Sequence, residues 1–130
     1  MEDLLVLVVE DEPLTQVYLE DTLHEGGYTT TTVASGELAI TSLEASPADV
    51  RALVTDINLK GEKTGWDVAQ RARELFPGLP VIYVTSVSSA EWTSKGVPKS
   101  IMIQKPFAPG QIITAVSQLL NAADPSAQTA

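Results

Sequence analysis

The stretch LLVLVVEDEP, residues 4–13, is the most informative part of this sequence. Its first six residues, Leu4–Val9, are all leucine or valine, a short apolar run typical of a strand buried on both faces. The run passes without a spacer into Glu10, Asp11 and Glu12. Neighbouring carboxylates that are brought together repel one another, so a proton or a cation must offset the repulsion. The stretch therefore predicts a core strand that ends in a ligand site.

Strand-like and helix-like segments alternate along the rest of the chain. Runs rich in apolar and β-branched residues predict five strands, at Leu4–Val9, Tyr28–Val33, Ala52–Thr55, Val81–Thr85 and Ser100–Ile103. Helical spacing and end signals predict five helices. The first starts at Pro13 and stops at Gly26-Gly27, the second follows Ser35 as its N-cap and ends before Pro47, and the third carries Trp66 to Phe76. The fourth is a short one around Ser89–Lys95, and the fifth opens at Pro109 and reaches Leu120. This alternation predicts an α/β fold with a doubly wound parallel sheet and helices on both faces.

The composition is that of a soluble globular domain. The chain has 130 residues, 44% of them hydrophobic and 19% charged, which suits one domain. It contains no cysteine, which excludes disulfides, thiol catalysis and cysteine-bound metals. The apolar run at 4–9 is too short to span a membrane and lacks the basic flank of a signal peptide. We expect a cytoplasmic protein.

Charge is distributed unevenly along the chain. The net charge is −9, and residues 1–50 hold eleven acidic side chains with no lysine or arginine. Residues 51–130 hold six acidic and eight basic side chains. Nucleic-acid binding needs clustered basic residues, so this pattern argues against it and favours a cation or a basic partner. For most of these acids, solubility is a sufficient explanation.

Polar groups follow four of the five predicted strands. They are Glu10 and Asp11 after the first, Asp56 after the third, Thr85 at the end of the fourth and Lys105 after the fifth. Ligands of open parallel sheets bind beyond the carboxyl ends of the strands, so these groups are expected to converge. A carboxylate nucleophile, a Mg²⁺ site, a hydroxyl and a lysine together form a phosphoryl-transfer site.

These motifs give the sequence a family resemblance. Over about residues 4–120 the chain resembles the receiver domain of two-component response regulators, in VLVVEDE (6–12), LVTDINL (53–59), VIYVTS (81–86) and IQKPF (103–107). The resemblance implies a flavodoxin-like sheet of strand order 2-1-3-4-5 with five helices. We therefore expect a receiver domain at residues 1–121. The last residues have little apolar surface to bury, which predicts a disordered C-terminal tail at 122–130.

The resemblance assigns roles around a Mg²⁺ ion. Asp56 matches the aspartate that is phosphorylated, and it also ligates the metal. Asp11 matches the principal acidic ligand, and Glu10 its neighbour, which we expect to act through water because glutamate replaces the usual aspartate. Asn58 would offer its backbone carbonyl to the metal. Glu12 is expected to be only a surface charge near the helix start.

The resemblance also assigns the groups that respond to the phosphoryl group. Thr85 matches the hydroxyl that moves toward it and Lys105 the lysine that pairs with it, with a cis peptide before Pro106. Met102 stands where the family usually has an aromatic switch residue. Lys60 stands where proline commonly follows the acceptor, in a loop one residue longer than usual.

Three functions follow as hypotheses. The leading one is a stand-alone receiver that accepts a phosphoryl group on Asp56 and switches partner binding through its strand 4–helix 4–strand 5–helix 5 face. Such a protein is not an enzyme beyond its own phosphorylation and dephosphorylation. The second is a pseudo-receiver, an interaction module that is not phosphorylated. The third is a phosphatase of the haloacid-dehalogenase kind, which Asn58 disfavours because that class needs aspartate there.

The leading hypothesis implies particular partners. We expect a histidine kinase or phosphotransfer protein as donor, and a downstream protein that the sequence does not identify. We expect no nucleic acid and no membrane as partners, and a monomer or weak homodimer.

Overall fold

The computed structural model describes residues 4–45, 49–86 and 90–123. The strands are β1 (Leu4–Val9), β2 (Tyr28–Val33), β3 (Val50–Asp56), β4 (Val81–Thr85) and β5 (Ile101–Gln104). The helices are α1 (Pro13–Glu25), α2 (Gly36–Ala45), α3 (Gly65–Leu75), α4 (Trp92–Lys95) and α5 (Pro109–Ala123).

The five strands form one parallel sheet in the order β2-β1-β3-β4-β5. Both the doubly wound architecture predicted from the alternation and the strand order implied by the resemblance are confirmed. The strand β1 lies inside the sheet between β2 and β3, which explains why its residues are apolar on both faces.

Two hydrophobic layers cover the sheet. Alternate residues of β1 point to opposite faces, so Leu7 and Val9 join one layer, while Val6 and Val8 join the other. The first layer is completed by α2 and α3, and the second by α1 and α5. Every one of these four β1 side chains is fully buried. The carboxyl end of β1 is thus packed from both faces of the sheet.

The observed boundaries differ from the predicted ones by a few residues. The strand β3 begins two residues before Ala52 and includes Asp56 as its last residue, and β5 runs one residue later than predicted. The helix α5 extends to Ala123, two residues into the segment predicted as a tail. Pro47, Ser89 and residues 124–130, on which other predicted boundaries fall, lie outside the described residues.

Local signals start two of the helices. Ser35 accepts a hydrogen bond at its Oγ from the backbone N–H of Leu38, as expected of the residue that caps α2. Thr64 and Asp67 form a reciprocal capping box at the start of α3. The capping box fixes where α3 begins, just after the loop that follows Asp56.

Across the three described segments, none of the helices has both the length and the apolar character needed to cross a membrane.

Candidate functional site

Three carboxylates meet at the carboxyl ends of β1 and β3. Val9 at the end of β1 pairs with Thr55, so the residues that follow them, Glu10 and Asp56, are neighbours across the two strands. Asp11 comes next in the chain, and ligand oxygens of Glu10, Asp11 and Asp56 all lie within 4.8 Å of one another. We call these three residues the acidic cluster. It lies where ligands of parallel sheets bind.

The strand β5 brings Lys105 to the acidic cluster. The backbone N–H of Lys105 donates to the carbonyl oxygen of Thr85 at 2.6 Å, which continues the pairing of β4 with β5. The side chain then reaches across the strand ends, with Nζ 2.8 Å from Glu10 Oε1 and 3.3 Å from Asp56 Oδ2. The Lys105–Pro106 peptide is cis, as the resemblance implied. The lysine thus lies between two of the three carboxylates.

Burial and mutual contact shift the pKa values of Glu10 and Lys105. Burial raises the pKa of Glu10, the ammonium of Lys105 opposes that effect, and the nearby Asp56 charge adds to it, so the net pKa is raised. Burial alone would lower the pKa of Lys105, but the carboxylates of Glu10 and Asp56 outweigh it and raise the pKa. Lys105 is therefore fully protonated at neutral pH.

Glu10 has protein partners for both carboxylate oxygens. Its Oε1 accepts from Lys105, and its Oε2 accepts from the backbone N–H of Glu12 at 3.1 Å. Its side chain is only 1% exposed. In the structure, Glu10 therefore holds Lys105, and its water-mediated role toward a metal stays a prediction. Glu12 is exposed, and its backbone, not its charge, takes part in the site.

The other two carboxylates hold the loop that follows β3. Asp56 Oδ1 accepts the backbone N–H of Asn58 at 3.2 Å, and Asp11 Oδ2 accepts the backbone N–H of Lys60 at 3.0 Å. Asp11 is half-buried, and the Asp56 side chain is 11% exposed. The acidic cluster is thus accessible from solvent on the side of Asp11 and Asp56. The part of the Asn58 carbonyl in a metal site stays a prediction.

The two predicted switch residues occupy different environments. Thr85 is fully buried at the end of β4, beside Lys105 through the backbone hydrogen bond. Met102 pairs with Tyr83 across β4 and β5 and packs, half-buried, against the layer that contains α2 and α3. Met102 therefore takes part in the packing of that layer, and its role as a switch residue stays a prediction.

Three supporting residues escaped the sequence analysis. Gly65 packs so closely that a Cβ atom there would lie 2.1 Å from the carbonyl oxygen of Asp56. Gln16 donates from Nε2 to the carbonyl oxygen of Glu10 at 2.6 Å. Tyr83 accepts the backbone N–H of Val97 at its buried hydroxyl, at 3.0 Å. Only Gly65 carried a usable signal, a glycine at the first position of a helix directly after the loop that follows Asp56.

An apolar rim adjoins the site. Leu14, Val17 and Tyr18 of α1 are 80%, 53% and 39% exposed, and their spacing places them on one side of the helix. The Tyr18 ring stacks on Phe107 with centroids 5.2 Å apart. A cavity of about 490 Å³ lies there, lined by Thr15, Tyr18, Ser86, Lys105, Pro106 and Phe107. Lys105 therefore faces both the acidic cluster and an open cavity.

Comparison with known proteins identifies the family. The family described as the response regulator receiver domain matches residues 6–117. The chain belongs to this receiver family. The receiver is 31% identical over 117 residues to the probable transcriptional regulatory protein TcrX of Mycobacterium tuberculosis, covering 88% of this chain and 49% of TcrX. It is 34% identical over 90 residues to the sensor histidine kinase RcsC of Escherichia coli, covering 69% of this chain and 9% of RcsC.

A solved structure supports the same assignment. A response regulator receiver protein from Sinorhizobium medicae WSM419 is 42% identical to this receiver, with a TM-score of 0.91, covering 95% of this chain and 98% of that one. The chain spans about half the length of TcrX and a smaller part of RcsC. The family is a signalling family, and the acidic cluster is compatible with Mg²⁺, because carboxylate oxygens are the ligands this hard cation takes.

Proposed function

We propose that this receiver accepts a phosphoryl group on Asp56 from a phosphohistidine, in a reaction that requires Mg²⁺. The observation that carries the proposal is Lys105, whose ammonium lies 3.3 Å from Asp56 Oδ2 and 2.8 Å from Glu10 Oε1. A fixed cation beside a solvent-accessible carboxylate supplies the electrostatic part of phosphoryl transfer, in which positioning and charge stabilisation dominate catalysis. The donor would be a histidine kinase or a phosphotransfer protein.

The transfer itself would be a direct displacement at phosphorus. An Asp56 carboxylate oxygen attacks the phosphorus atom, a new O–P bond forms, and the P–N bond to the donor imidazole breaks. The imidazole nitrogen keeps the electron pair and takes up a proton. Asp56 becomes an acyl phosphate, and Lys105 is near enough to meet the new phosphoryl oxygens.

Two residues of the acidic cluster would hold the metal. Asp11 and Asp56 face solvent more than Glu10 does, and we assign them as the direct carboxylate ligands, with the Asn58 carbonyl as a backbone ligand. Bound Mg²⁺ would offset the negative charge that accumulates on the carboxylates and the phosphoryl group. Glu10 would contribute through water while it holds Lys105.

The apolar rim on α1 supports docking of the donor. Leu14, Val17 and Tyr18 lie exposed next to the cavity that opens toward Lys105. A partner that presents a histidine from a helix would cover these side chains and bring its imidazole to Asp56. We propose that this phosphoryl transfer takes place in the cytoplasm, where ATP is available to phosphorylate a histidine kinase.

Phosphorylation would act on a partner through the face built by β4, α4, β5 and α5. The phosphoryl group adds a charge of about −1.5 to −2, which would attract Lys105 and draw in the hydroxyl of Thr85. Thr85 ends β4, two residues after Tyr83, whose hydroxyl holds the segment that follows α4. A change at Thr85 would therefore bias the position of that segment and alter the binding of a downstream protein.

Incubation with acetyl phosphate and Mg²⁺ tests the proposal. Intact-mass measurement of the wild-type protein should show a gain of about 80 Da, the mass of one phosphoryl group. The gain should disappear in Asp56→Asn and when EDTA replaces Mg²⁺. If the mass of the wild-type protein does not increase, the result supports the pseudo-receiver hypothesis. Steady release of phosphate from a phosphate ester would instead support the phosphatase hypothesis.

A further inference from the structure

The segment between Asp56 and α3, residues 57–64, is the acceptor loop. Its first half is anchored inward, because Ile57 and Leu59 are buried in the layer that contains α2 and α3. Its second half, residues 60–63, is exposed. An exposed, glycine-containing segment next to the acidic cluster needs other contacts to hold its shape.

Two carboxylates from distant parts of the chain hold this exposed half by its backbone. Asp11 Oδ2 accepts the N–H of Lys60 at 3.0 Å, and Glu37 Oε2 accepts the N–H of Glu62 at 3.0 Å. Asp11 belongs to the acidic cluster, whereas Glu37 lies in the first turn of α2. The same short segment thus links the acidic cluster to a second helix.

The backbone between these two hydrogen bonds fits closely against Glu37. Gly61 has a φ of 100°, and a Cβ there would lie 3.0 Å from both oxygens of Glu37. At the start of α2, a Cβ on Gly36 would lie 2.7 Å from the Cβ and the carbonyl oxygen of Lys63. Both glycines are therefore required by the close approach of the loop to α2.

Glu37 is ionised in this setting. The N–H of Glu62 lowers the pKa of Glu37, and the backbone N–H groups of Glu37 and Lys63 lower it further. A carboxylate that accepts backbone N–H groups forms stronger hydrogen bonds than a neutral acceptor does.

We propose that Glu37 is a positioning residue for the metal site. By holding Glu62, it keeps the N–H of Lys60 on one oxygen of Asp11, so that the Asp11 carboxylate is already oriented when a cation binds. The consequence for Mg²⁺ affinity rests on the proposed function, but the contact from Glu37 through the loop to Asp11 does not. Oriented outer-shell contacts of this kind strengthen metal binding.

Amide hydrogen exchange tests the contact without any metal. In Glu37→Ala, the amides of Lys60 and Glu62 should exchange about tenfold faster than in the wild-type protein, because the loop opens locally. Glu44→Gln is the matched control, since Glu44 lies at the other end of α2 and pairs with Arg71. This control removes the same charge and should leave both amides unchanged. Unchanged exchange of Lys60 in Glu37→Ala would overturn the proposal.

Mg²⁺ titration tests the consequence. Glu37→Ala should weaken Mg²⁺ binding by about three- to tenfold, toward the low end for outer-shell contacts because Glu37 is exposed. Glu37→Gln keeps one acceptor oxygen, so its Mg²⁺ affinity should lie between those of Glu37→Ala and the wild-type protein. Glu44→Gln should have the Mg²⁺ affinity of the wild-type protein. Gly61→Ala changes no charge, yet it should weaken binding as Glu37→Ala does, and the double variant should be no weaker than either single one.

The outcomes separate the two proposals. If the wild-type protein binds Mg²⁺ and Glu37→Ala binds it equally well, Glu37 is not a positioning residue. If the wild-type protein binds no Mg²⁺, the proposed function fails, and the exchange of Lys60 alone decides whether Glu37 holds the loop.

Discussion

Lys105 Nζ lies 2.8 Å from Glu10 Oε1, and Glu10 is almost completely buried. The distance to Asp56 Oδ2 is longer, at 3.3 Å. Glu10 is therefore the principal partner of the lysine, and Asp56 keeps a weaker contact. In the proposed mechanism this arrangement holds the ammonium beside the acceptor before transfer, so that little reorganisation is needed when charge develops on the phosphoryl group.

The Glu10–Lys105 pair predicts pH-dependent stability in Lys105→Met. The pKa of Glu10 is already raised in the folded protein by burial, and loss of the ammonium would raise it further. A carboxyl group whose pKa is raised on folding contributes stability below its unfolded pKa and loses that contribution as the pH rises through the folded value. At about pH 4, the free energy of unfolding of Lys105→Met should be similar to that of the wild-type protein. At pH 7 it should be lower by about 1–3 kcal/mol.

Urea unfolding at the two pH values measures this difference. Lys95→Met is the control, because Lys95 forms an exposed ion pair with Glu91, the residue just before α4, and such pairs contribute about 0–1 kcal/mol. An equal loss of stability at both pH values in Lys105→Met would contradict the assignment of Glu10 as the buried partner.

Gly65→Ala should displace the acceptor loop. The new Cβ would lie 2.1 Å from the carbonyl oxygen of Asp56, so the backbone must shift, at a cost of about 2–3 kcal/mol. Gly110→Ala, at the start of α5, meets no atom within 4 Å and should be neutral or stabilising by up to about 1 kcal/mol. Thermal unfolding of both variants checks this, and a Gly65→Ala variant as stable as the wild-type protein would refute the close packing.

Tyr83→Phe should loosen the segment after α4. The hydroxyl accepts the buried N–H of Val97, and its loss should lower the unfolding free energy by about 1–2 kcal/mol. Tyr28→Phe, which loses a hydroxyl contact to Ser117 at 2.6 Å, serves as the control for the chemical change. The amide of Val97 should exchange faster in Tyr83→Phe but not in Tyr28→Phe. The same increase in both variants would indicate a general loss of stability.

Asp11→Asn should weaken Mg²⁺ binding about tenfold or more, since it neutralises a proposed direct ligand. Trp66 follows Gly65, is buried, and packs on Tyr83 with ring centroids 4.8 Å apart, so its fluorescence reports on the start of α3. We expect Mg²⁺ to quench it in a Trp92→Phe background, in which Trp66 is the only tryptophan. If Asp11→Asn gives the same Mg²⁺ titration curve as the protein with Asp11, then Asp11 is not a ligand of the metal.

Much of the fold could be predicted from local sequence. The apolar run at Leu4–Val9 and the β-branched runs that follow have the period and length of buried parallel strands, and glycine and proline mark their ends. The approximate place of the site also followed, because parallel strands align their carboxyl ends. The acidic residues just after β1 and at the end of β3 had to become neighbours once those strands paired.

The partners of each side chain could not be predicted in this way. Sequence reasoning assigned Glu10 a water-mediated role toward a metal, which stays a prediction, but it did not foresee the contact with Lys105, which is 95 positions away. The contact of Glu37 with the acceptor loop likewise depends on how α2 packs beside that loop, and neither segment carries a local signal for it. In the sequence, nothing distinguishes Tyr83 from the other residues of its buried strand. Its contact with Val97 depends on the path of the chain after α4.

The most direct test of the central proposal locates the phosphoryl group chemically. After reaction with acetyl phosphate and Mg²⁺, borohydride reduces an acyl phosphate to an alcohol, which converts a phosphorylated aspartate to homoserine. Peptide mass spectrometry should then find homoserine at position 56 in the wild-type protein and nowhere in protein treated without Mg²⁺. A reduced residue at another position, such as 11, or a phosphorylated protein with no reduced residue at 56, would contradict the assignment of Asp56 as the acceptor.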